Sequence, residues 1–517
     1  MFNFQFPNSQ MPIINDIIQN AGMAIREEEF ILNEVRGFMT SKKRMDMIAG
    51  QEYYLGKHDI LKRMRTAIGE GGDNIIIGNM PNNRIVNNQY KKLVSQKVNY
   101  LLGKPLTLDG ENKRYIEQLN KLFNADFNRL MRNVCEDSLN CGVGYIYVYY
   151  DKKGKLSFKR FKPSEIIIGW ADEEHREVEY AIRCYKKSVY EGDKLITKEC
   201  IEVFDRVYIK RYIVENGRLM PDGRNWRTAH FYMKRGMGSF GNVPIIPFKY
   251  NDKEVPLIKY TKGLQDALNL VISNFQNAME EDPRNTILVL KNYDGENLGE
   301  FRRNLATYGA VKVRSVDGSD GGVDTLKIDV NADNYRLLID LLKKSIIENG
   351  MGFDAKDDRF SNNPNQMNIQ SMYSDIDLDA NGMEVEYKDS IEKLISFINL
   401  HFASVGIGDF DKDNINVIFN RDVLINESEA IDNCIKSKDI LSNESVIAQH
   451  PWVKDIEEEI KRLDKEKVDK DSTNKDNTNK DKVDKDSTNK DSTNKDSTNK
   501  EKADKDGINK DSIKEKA

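Results

Sequence analysis

Five histidines, His58, His175, His230, His401 and His450, are the side chains best suited to proton transfer near neutral pH. They are scattered singly, with no H-E-x-x-H pair, so each reads as an ordinary core or surface residue. Glu280-Glu281-Asp282 gathers carboxylates that could hold a hard cation, but at a helix end the run reads as a solvated acidic stretch. Gly69-Glu70-Gly71-Gly72 lacks the Gly-Lys-Ser/Thr that completes a phosphate loop, and no G-x-S-x-G elbow occurs. The five cysteines, Cys135, Cys141, Cys184, Cys200 and Cys434, are odd in number and form no C-x-x-C pair. That argues against a disulfide framework or a zinc site and fits a reduced, cytosolic setting better. Nothing joins a nucleophile, a base and an orienting group, and no metal or other cofactor is implied, so the expectation is a protein that is not an enzyme.

The basic and aromatic residues are more suggestive. Lys356 and Arg359 stand in a polar loop after Gly350. Lys152-Lys153 and Lys186-Lys187 read as turn or edge residues. The tyrosines of Tyr145-Ile146-Tyr147-Val148-Tyr149-Tyr150 could stack on bases, although their alternation fits packing within a sheet.

The elements that must carry these residues follow from periodicity. Ile14, Ile17, Ile18, Ile25, Phe30, Ile31, Val35 and Met39 recur at helical spacing within 15–65, and Val86, Tyr90, Leu93, Val94, Val98 and Leu101 define a helix over 84–102. Gly103 and Pro105 stop it. From Tyr145 to Tyr250 the pattern turns to strands separated by turns such as Asp151-Lys152-Lys153-Gly154, an antiparallel meander. Leu257, Leu264, Leu268, Val271, Phe275 and Ala278 stripe a helix over 257–281. Short strands at 286–290, 311–313 and 325–330 and a helical piece at 298–308 make a small α/β insert. A helix over 333–348 follows, capped by Asn331 or Asp333, with Leu337, Leu338, Leu341, Leu342 and Ile346 as its apolar side and Arg336, Asp340 and Lys344 at i, i+4 spacing. After the loop, Ile376, Met383, Tyr387, Ile391, Leu394, Ile398 and Phe402 define a long helix with Gly382 inside it, a place for a kink. A strand at 414–419 and two or three helices lead to Leu463.

The chain has 517 residues, enough for two or more domains. Its formal net charge of -5 announces no global basic field, so any DNA contact must come from local patches or from repetition in an oligomer. The start, Met-Phe-Asn-Phe-Gln-Phe-Pro, does not read as a signal peptide. No stretch approaches the roughly 18 uninterrupted apolar residues of a membrane span. From Asp464 the unit Asp-Ser-Thr-Asn-Lys recurs, and so polar a segment cannot offset about 1–2 kcal/mol of backbone entropy per residue; it reads as a disordered tail.

Several segments resemble, in order, the portal proteins of long-tailed phages that infect Gram-positive bacteria. They are Tyr53-Tyr54-Leu55-Gly56-Lys57-His58-Asp59-Ile60-Leu61, Pro81 to Asn88, Leu93 to Pro105, Gly241 to Pro247, Gly263 to Pro283, Gly321 to Leu326 and Ser374 to Asn381. The resemblance spans roughly 15–463 and leaves out the repeat tail. It implies an α+β portal fold with a mainly helical wing and crown, an antiparallel β segment in the wing, two stem helices and a small α/β clip. By position, 1–256 would be the wing, 257–281 the first stem helix, 282–332 the clip and 333–349 the second stem helix. Residues 350–368 would be the tunnel loop, 369–419 the long kinked helix returning to the wing, 420–463 the crown and 464–517 the tail.

The function implied is a homo-oligomeric ring of about twelve subunits at one capsid vertex, through which double-stranded DNA is packaged, retained and ejected. Implied partners are DNA bound without sequence specificity, the terminase large subunit, a head–tail connector, and the major capsid and scaffold proteins, with no membrane. The place would be the virion, reached from the host cytoplasm. Duplex DNA carries one charge per about 1.7 Å of axis, and a ring turns one lysine per chain into a belt, so sparse basic loop residues suit sliding better than a sticky groove. On that footing Lys356 and Arg359 approach the DNA backbone, with Lys343 and Lys344 as stem candidates. Phe301, Arg302, Arg303 and Asn304 on the clip would meet the motor or connector. The competing classes are a capsid or scaffold component without a channel and a metal-dependent DNA-processing enzyme.

Overall fold

The computed structural model describes residues 27–68, 72–76, 78, 80–233, 236–281, 287–291, 299, 307, 322–326, 332–354, 366–421, 427–453, 456 and 458–466. It divides into two units, Met1–Leu424 and Ile425–Ala517.

The first unit begins with helices α1 (Glu27–Thr40) and α2 (Lys42–Tyr54), separated by Ser41, whose hydroxyl accepts from the Arg44 N–H and caps α2. A short hairpin of β1 (Thr66–Ile68) and β2 (Asn74–Ile76) follows. Then come α3 (Gln89–Leu102), β3 (Thr107–Asp109), α4 (Lys113–Leu122) and α5 (Ala125–Cys141). Asn88, Asn112 and Asn124 cap the three helices in turn, each side chain accepting from a backbone N–H of the first turn. Gly142 ends α5 at φ 84, and a Cβ there would lie 2.0 Å from the Glu254 carbonyl oxygen, so only glycine fits.

Strands β4 (Val143–Tyr150) and β5 (Leu156–Phe161) begin the β region. Next are β6 (Ile166–Trp170), β7 (Val178–Glu191), β8 (Lys194–Phe204), β9 (Tyr208–Glu215), β10 (Arg218–Pro221) and β11 (Arg227–Ala229). The region closes with β12 (Phe231–Met233), β13 (Gly236–Gly238) and β14 (Ile245–Lys249). The expected meander is present, but it is not one sheet. Strands β6 to β10 pair in sequence order, with β11 joining β9. Strands β4 and β5 instead form a separate sheet with β14, in the order β14-β4-β5. That smaller sheet is buried because α5 and the long helix Gln366–Val405 pack against it, and Ile146, Val148 and Phe248 join the main core. Helix α1 lies on the larger sheet, where Ile31 packs with Ile182, Ile201 and Tyr212. Packing of the strand tyrosines is visible in Tyr147, whose ring stacks on Phe161 at 5.0 Å.

Two helices and a hairpin come next: α6 (Ile258–Glu281), then β15 (Ile287–Lys291) and β16 (Gly322–Leu326), paired antiparallel, then α7 (Ala332–Asn349). The strand expected at 311–313, most of the helical piece at 298–308 and the cap candidate Asn331 lie outside the described residues. Helix α8 (Gln366–Val405) has 40 residues, about 60 Å of helix, and runs through Gly382 without a break. Its stripe of Ile376, Met383, Tyr387, Ile391, Leu394, Ile398 and Phe402 is buried as the periodicity predicts. Strand β17 (Asn416–Ile418) returns to pair with β3.

The second unit contains α9 (Glu427–Ser437) and α10 (Asn443–Ala448), the latter capped by Ser442. Cys434, on α9, is its buried hydrophobic side chain among the described residues. All five cysteines are unpaired and buried. No helix among the described residues is long and apolar enough to cross a membrane.

Candidate functional site

The loop from Gly350 onward and the two helices before it are where the sequence points. Lys356 and Arg359 lie outside the described residues, as do Phe301, Arg302, Arg303 and Asn304. Lys343 and Lys344 stand on α7, their ammonium groups 3.9 Å from Asp340 and 3.9 Å from Glu348 respectively. Lys344 is 72% exposed.

Helix α7 turns inward Leu342 and Ile346 of the side the sequence suggests, but not the rest of it. Tyr335 packs its ring on Phe275 of α6 at 4.9 Å, and Ile339, Leu342 and Ile346 continue that line into the core. Leu337, Leu338 and Leu341 are exposed, with Leu337 at 72% and Leu341 at 58%. The i, i+4, i+7, i+11 row through Tyr335 takes the inward position, which turns those leucines outward by helical geometry.

Of the apolar stripe expected on α6, Leu268 is fully buried and Leu264 packs on the core, but the helix also buries a line outside that stripe. Its most deeply buried line is polar: Thr261, Gln265, Asn269, Ser273 and Asn277, each four residues from the last. Four of these grip residues 83–90. The N–H of Asn83 donates to Asn277 Oδ1 at 2.7 Å, Ile85 to Ser273 Oγ at 3.0 Å and Asn87 to Asn269 Oδ1 at 2.9 Å. Gln89 and Tyr90 both donate to Gln265 Oε1, at 3.0 and 3.1 Å. The spacing works because two extended residues advance about 6.6 Å and four helical residues about 6.0 Å. This corrects the helix expected from residue 84. The N–H groups of 83–87 are taken by side chains of α6, so the segment stays extended and α3 begins at Gln89. His58 completes the set: its Nδ1 accepts from Asn269 Nδ2 at 2.8 Å, and its Nε2–H donates to the Tyr53 carbonyl at 3.0 Å. Burial lowers its pKa below the ordinary 6.5, in keeping with the neutral ring this pattern requires.

The base of the loop is built on α3. A Cβ on Gly350 would come within 2.6 Å of Leu93 Cδ1, and one on Gly352 within 2.2 Å of Leu93 Cδ2. Between them Met351 adopts φ 47. Its carbonyl accepts from Lys97 Nζ at 3.0 Å, and Gln96 Nε2 donates to the Phe353 carbonyl at 2.8 Å. The ring of Phe353 stacks on Tyr373 of α8 at 4.4 Å, and Tyr373 stacks on Tyr100 of α3 at 5.8 Å. The start of the loop and Tyr373 of α8 are therefore both fastened to α3.

Three ion pairs, made by Lys97 and Arg421, hold α8 beside that base. Lys97, 2% exposed, meets Asp379 Oδ2 at 2.6 Å, and Tyr250 donates to Asp379 Oδ1 at 2.8 Å. Burial pulls the Lys97 ammonium below the usual lysine range, against the opposing pull of Asp379. Two residues away, Asp377 accepts from Tyr100 at 2.9 Å and from Arg421, whose guanidinium also reaches Glu384 at 2.6 Å. For Arg421, burial is outweighed by the Glu384 and Asp377 carboxylates, and its pKa is raised. Reasoning from sequence did not single out Lys97, Asp379 or the α6 ladder. The signals were there: a lysine amid Val94, Val98 and Leu101, and polar residues at strict four-residue spacing inside an apolar helix.

No group of three or more His, Cys, Asp or Glu side chains is gathered as a metal site among the described residues. In the acidic run at the end of α6, Glu280 accepts from Gln276 at 3.0 Å, and Asp282 lies outside the described residues.

The chain's sequence matches the family model described as phage portal protein, SPP1 Gp6-like, over residues 40–473. It is similar to a portal protein of Bacillus phage SPP1, 27% identical over 459 residues that cover 88% of this chain and 89% of the relative. It is also similar to a portal protein of Clostridium phage phiCD119, 27% identical over 452 residues that cover 84% of this chain and 96% of the relative.

Proposed function

This chain belongs to the SPP1 Gp6-like family of phage portal proteins, and we propose that identical copies close into a ring in which α6, α7 and the loop after Gly350 line the channel for DNA. Proteins of this family are structural, non-enzymatic components of the phage capsid that serve DNA packaging. In this reading α6 and α7 are the stem, 282–332 the clip, 350–368 the tunnel loop, residues after Asn420 the crown and the N-terminal unit up to 256 the wing. About twelve copies surround the axis, so each channel-facing cation recurs around it. The terminase large subunit and then the head–tail connector dock on the clip near Phe301, Arg302, Arg303 and Asn304. Major capsid and scaffold proteins surround the vertex, and assembly takes place in the host cytoplasm.

The observation that carries the reading is the junction of α7 with its loop. A helix with Leu337 and Leu341 uncovered runs directly into a loop base clamped by Leu93, Lys97 and Gln96. The leucines suit a neighbouring subunit, and the clamp suits a loop that must hold position while DNA slides past. Negative-stain images of the purified chain test this: closed rings with a central hole support it, and shells or monomers overturn it. A second test substitutes Lys356 and Arg359 by Ala and measures DNA per particle. Reduced packaging or retention is expected, and unchanged values exclude a DNA role for the pair. Charge reversal at Arg302 and Arg303 should block docking of the motor while leaving rings intact.

A further inference from the structure

Helix α5 carries a row of hydrogen-bond donors that the fold itself hardly uses. Phe127, Met131, Val134 and Cys135 bury one side of the helix. Asn128, Arg129, Arg132 and Asn133, at i, i+1, i+4 and i+5, share another side and line a cavity of ≈ 390 Å³. Lys104, on the segment that follows α3, lines it from across the gap. Arg129 and the side-chain amides of Asn128 and Asn133 make no hydrogen bond or ion pair among the described residues.

The charge of this cavity runs against the chain as a whole. Acids outnumber bases in the sequence, 84 to 79, yet no Asp or Glu is among the described residues that line the cavity. Of the acids on α5, Glu136 accepts from Tyr54 at 2.9 Å, Asp137 faces Arg160 at 3.4 Å, and Asp126 is exposed in the first turn, outside the lining. The cations are also held in place. Arg132 Nη2 donates to Asn99 Oδ1 at 2.6 Å, which fixes the guanidinium and leaves its other N–H groups for a ligand. The segment bearing Lys104 is tied down by Asn420, whose Nδ2 donates to the Pro105 carbonyl at 2.7 Å. Arg129 and Arg132 are one turn apart, about 5–6 Å between Cβ atoms, so both guanidinium forks reach one tetrahedral anion.

We propose that this cavity binds phosphate groups. Arg129 and Arg132 clasp the oxygens, Lys104 adds charge, and Asn128 and Asn133 donate from the helix. Three cations exceed what a single carboxylate neutralises, and planar Arg forks match phosphate oxygens in pairs. The shared chemistry has two sources, the backbone of duplex DNA and a free polyphosphate. DNA as the source rests on the portal reading above; the phosphate site itself does not. In that reading the cavity is a second contact with DNA, made by elements other than α6, α7 and the loop after Gly350.

The test uses the full chain in a Lys356→Ala/Arg359→Ala background, which removes the loop cations, and two probes: a short fluorescein-labelled duplex read by anisotropy, and sodium pyrophosphate read by titration calorimetry. Arg129→Gln/Arg132→Gln should weaken duplex binding at least about tenfold and lower the slope of log affinity against log salt by about 1–2. Arg129→Gln alone changes an exposed side chain, should keep the unfolding midpoint, and should lower the slope by about 1. The control Lys113→Gln/Lys121→Gln makes the same charge change at exposed positions on α4 and should leave both probes unaffected. A loss of pyrophosphate binding in the arginine variant with duplex binding unchanged supports the site and assigns it to a free polyphosphate. No change with either probe, or an equal loss from the α4 control, overturns the site. These measurements do not require rings, so a chain that forms none would sink the reading above without touching the phosphate site.

Discussion

Helices α6 and α8 are both long and both turn one side inward, but the two sides are made of different things. The buried side of α8 is Ile376, Ala380, Met383, Tyr387, Ile391, Leu394, Ile398 and Phe402. The most buried line of α6 is Thr261, Gln265, Asn269, Ser273 and Asn277. Apolar burial is strong but non-directional; it anchors α8 without saying which turn meets which neighbour. The α6 line has little apolar area, yet four of its five residues read particular N–H groups between Asn83 and Tyr90. A slip of one residue along the extended segment would turn these N–H groups away from their acceptors and leave buried donors unpaired, at about 1–3 kcal/mol each. The difference separates anchoring from register: α8 supplies the first, and α6, the proposed stem helix, is built for the second.

That contrast predicts a graded series. Tyr387→Ala should cost the most, about 3–5 kcal/mol in urea unfolding, because it empties the centre of the α8 side and removes the Ser138 hydrogen bond of 2.7 Å. A loss under about 1 kcal/mol would mean that α8 is not the anchor. Lys97→Met should cost about 3 kcal/mol, since it leaves Asp379 buried opposite Tyr250 alone. The double change Lys97→Met/Asp379→Leu should recover most of that, and failure to recover would place the effect on the Met351 carbonyl instead. Asn269→Ala should cost about 1–3 kcal/mol by removing partners of Asn87, Gln265 and His58 together.

A pH titration sharpens the same point. The folded chain holds His58 neutral, so its pKa is lower folded than unfolded. Below about pH 6.5 the unfolded chain binds the extra proton, and stability falls as pH falls. Above that range the contribution is complete. His58→Gln should flatten this acid-side slope, a smaller effect than losing Asn269. An unchanged slope would mean that the ladder tolerates an imidazolium.

How much of this was legible depended on which force placed each element. The stripe of α8 and the strands of the β region follow from period and propensity, so the sequence shows them. The extended segment at 83–88 did not, because Val86, Tyr90 and Leu93 carry a helical period that side chains about 180 residues downstream override. The split of the meander into two sheets was hidden for a similar reason. Strand β4 takes β14, almost a hundred residues on, as its neighbour, and no local pattern encodes that. The apolar side of α7 was only partly legible: Leu342 and Ile346 face inward as expected, but Tyr335 and Ile339 complete that row and leave Leu337, Leu338 and Leu341 outside.

The smallest expected effect on stability falls on the residue closest to the proposed function. Lys344 is 72% exposed, 3.9 Å from Glu348 across one turn. An exposed pair of this kind contributes under about 0.5 kcal/mol, so Lys344→Ala should leave the unfolding midpoint almost unmoved. Repeated around a ring, the same change removes a belt of charge from one level of the channel, and retained DNA should fall with a salt dependence that weakens as phosphate contacts are lost. The alternative is that α7 turns this side to a neighbouring subunit with Leu337 and Leu341. Lys344→Ala would then alter ring yield and leave DNA retention per ring untouched. The two measurements, taken on the same particles, decide which way the exposed side of α7 faces.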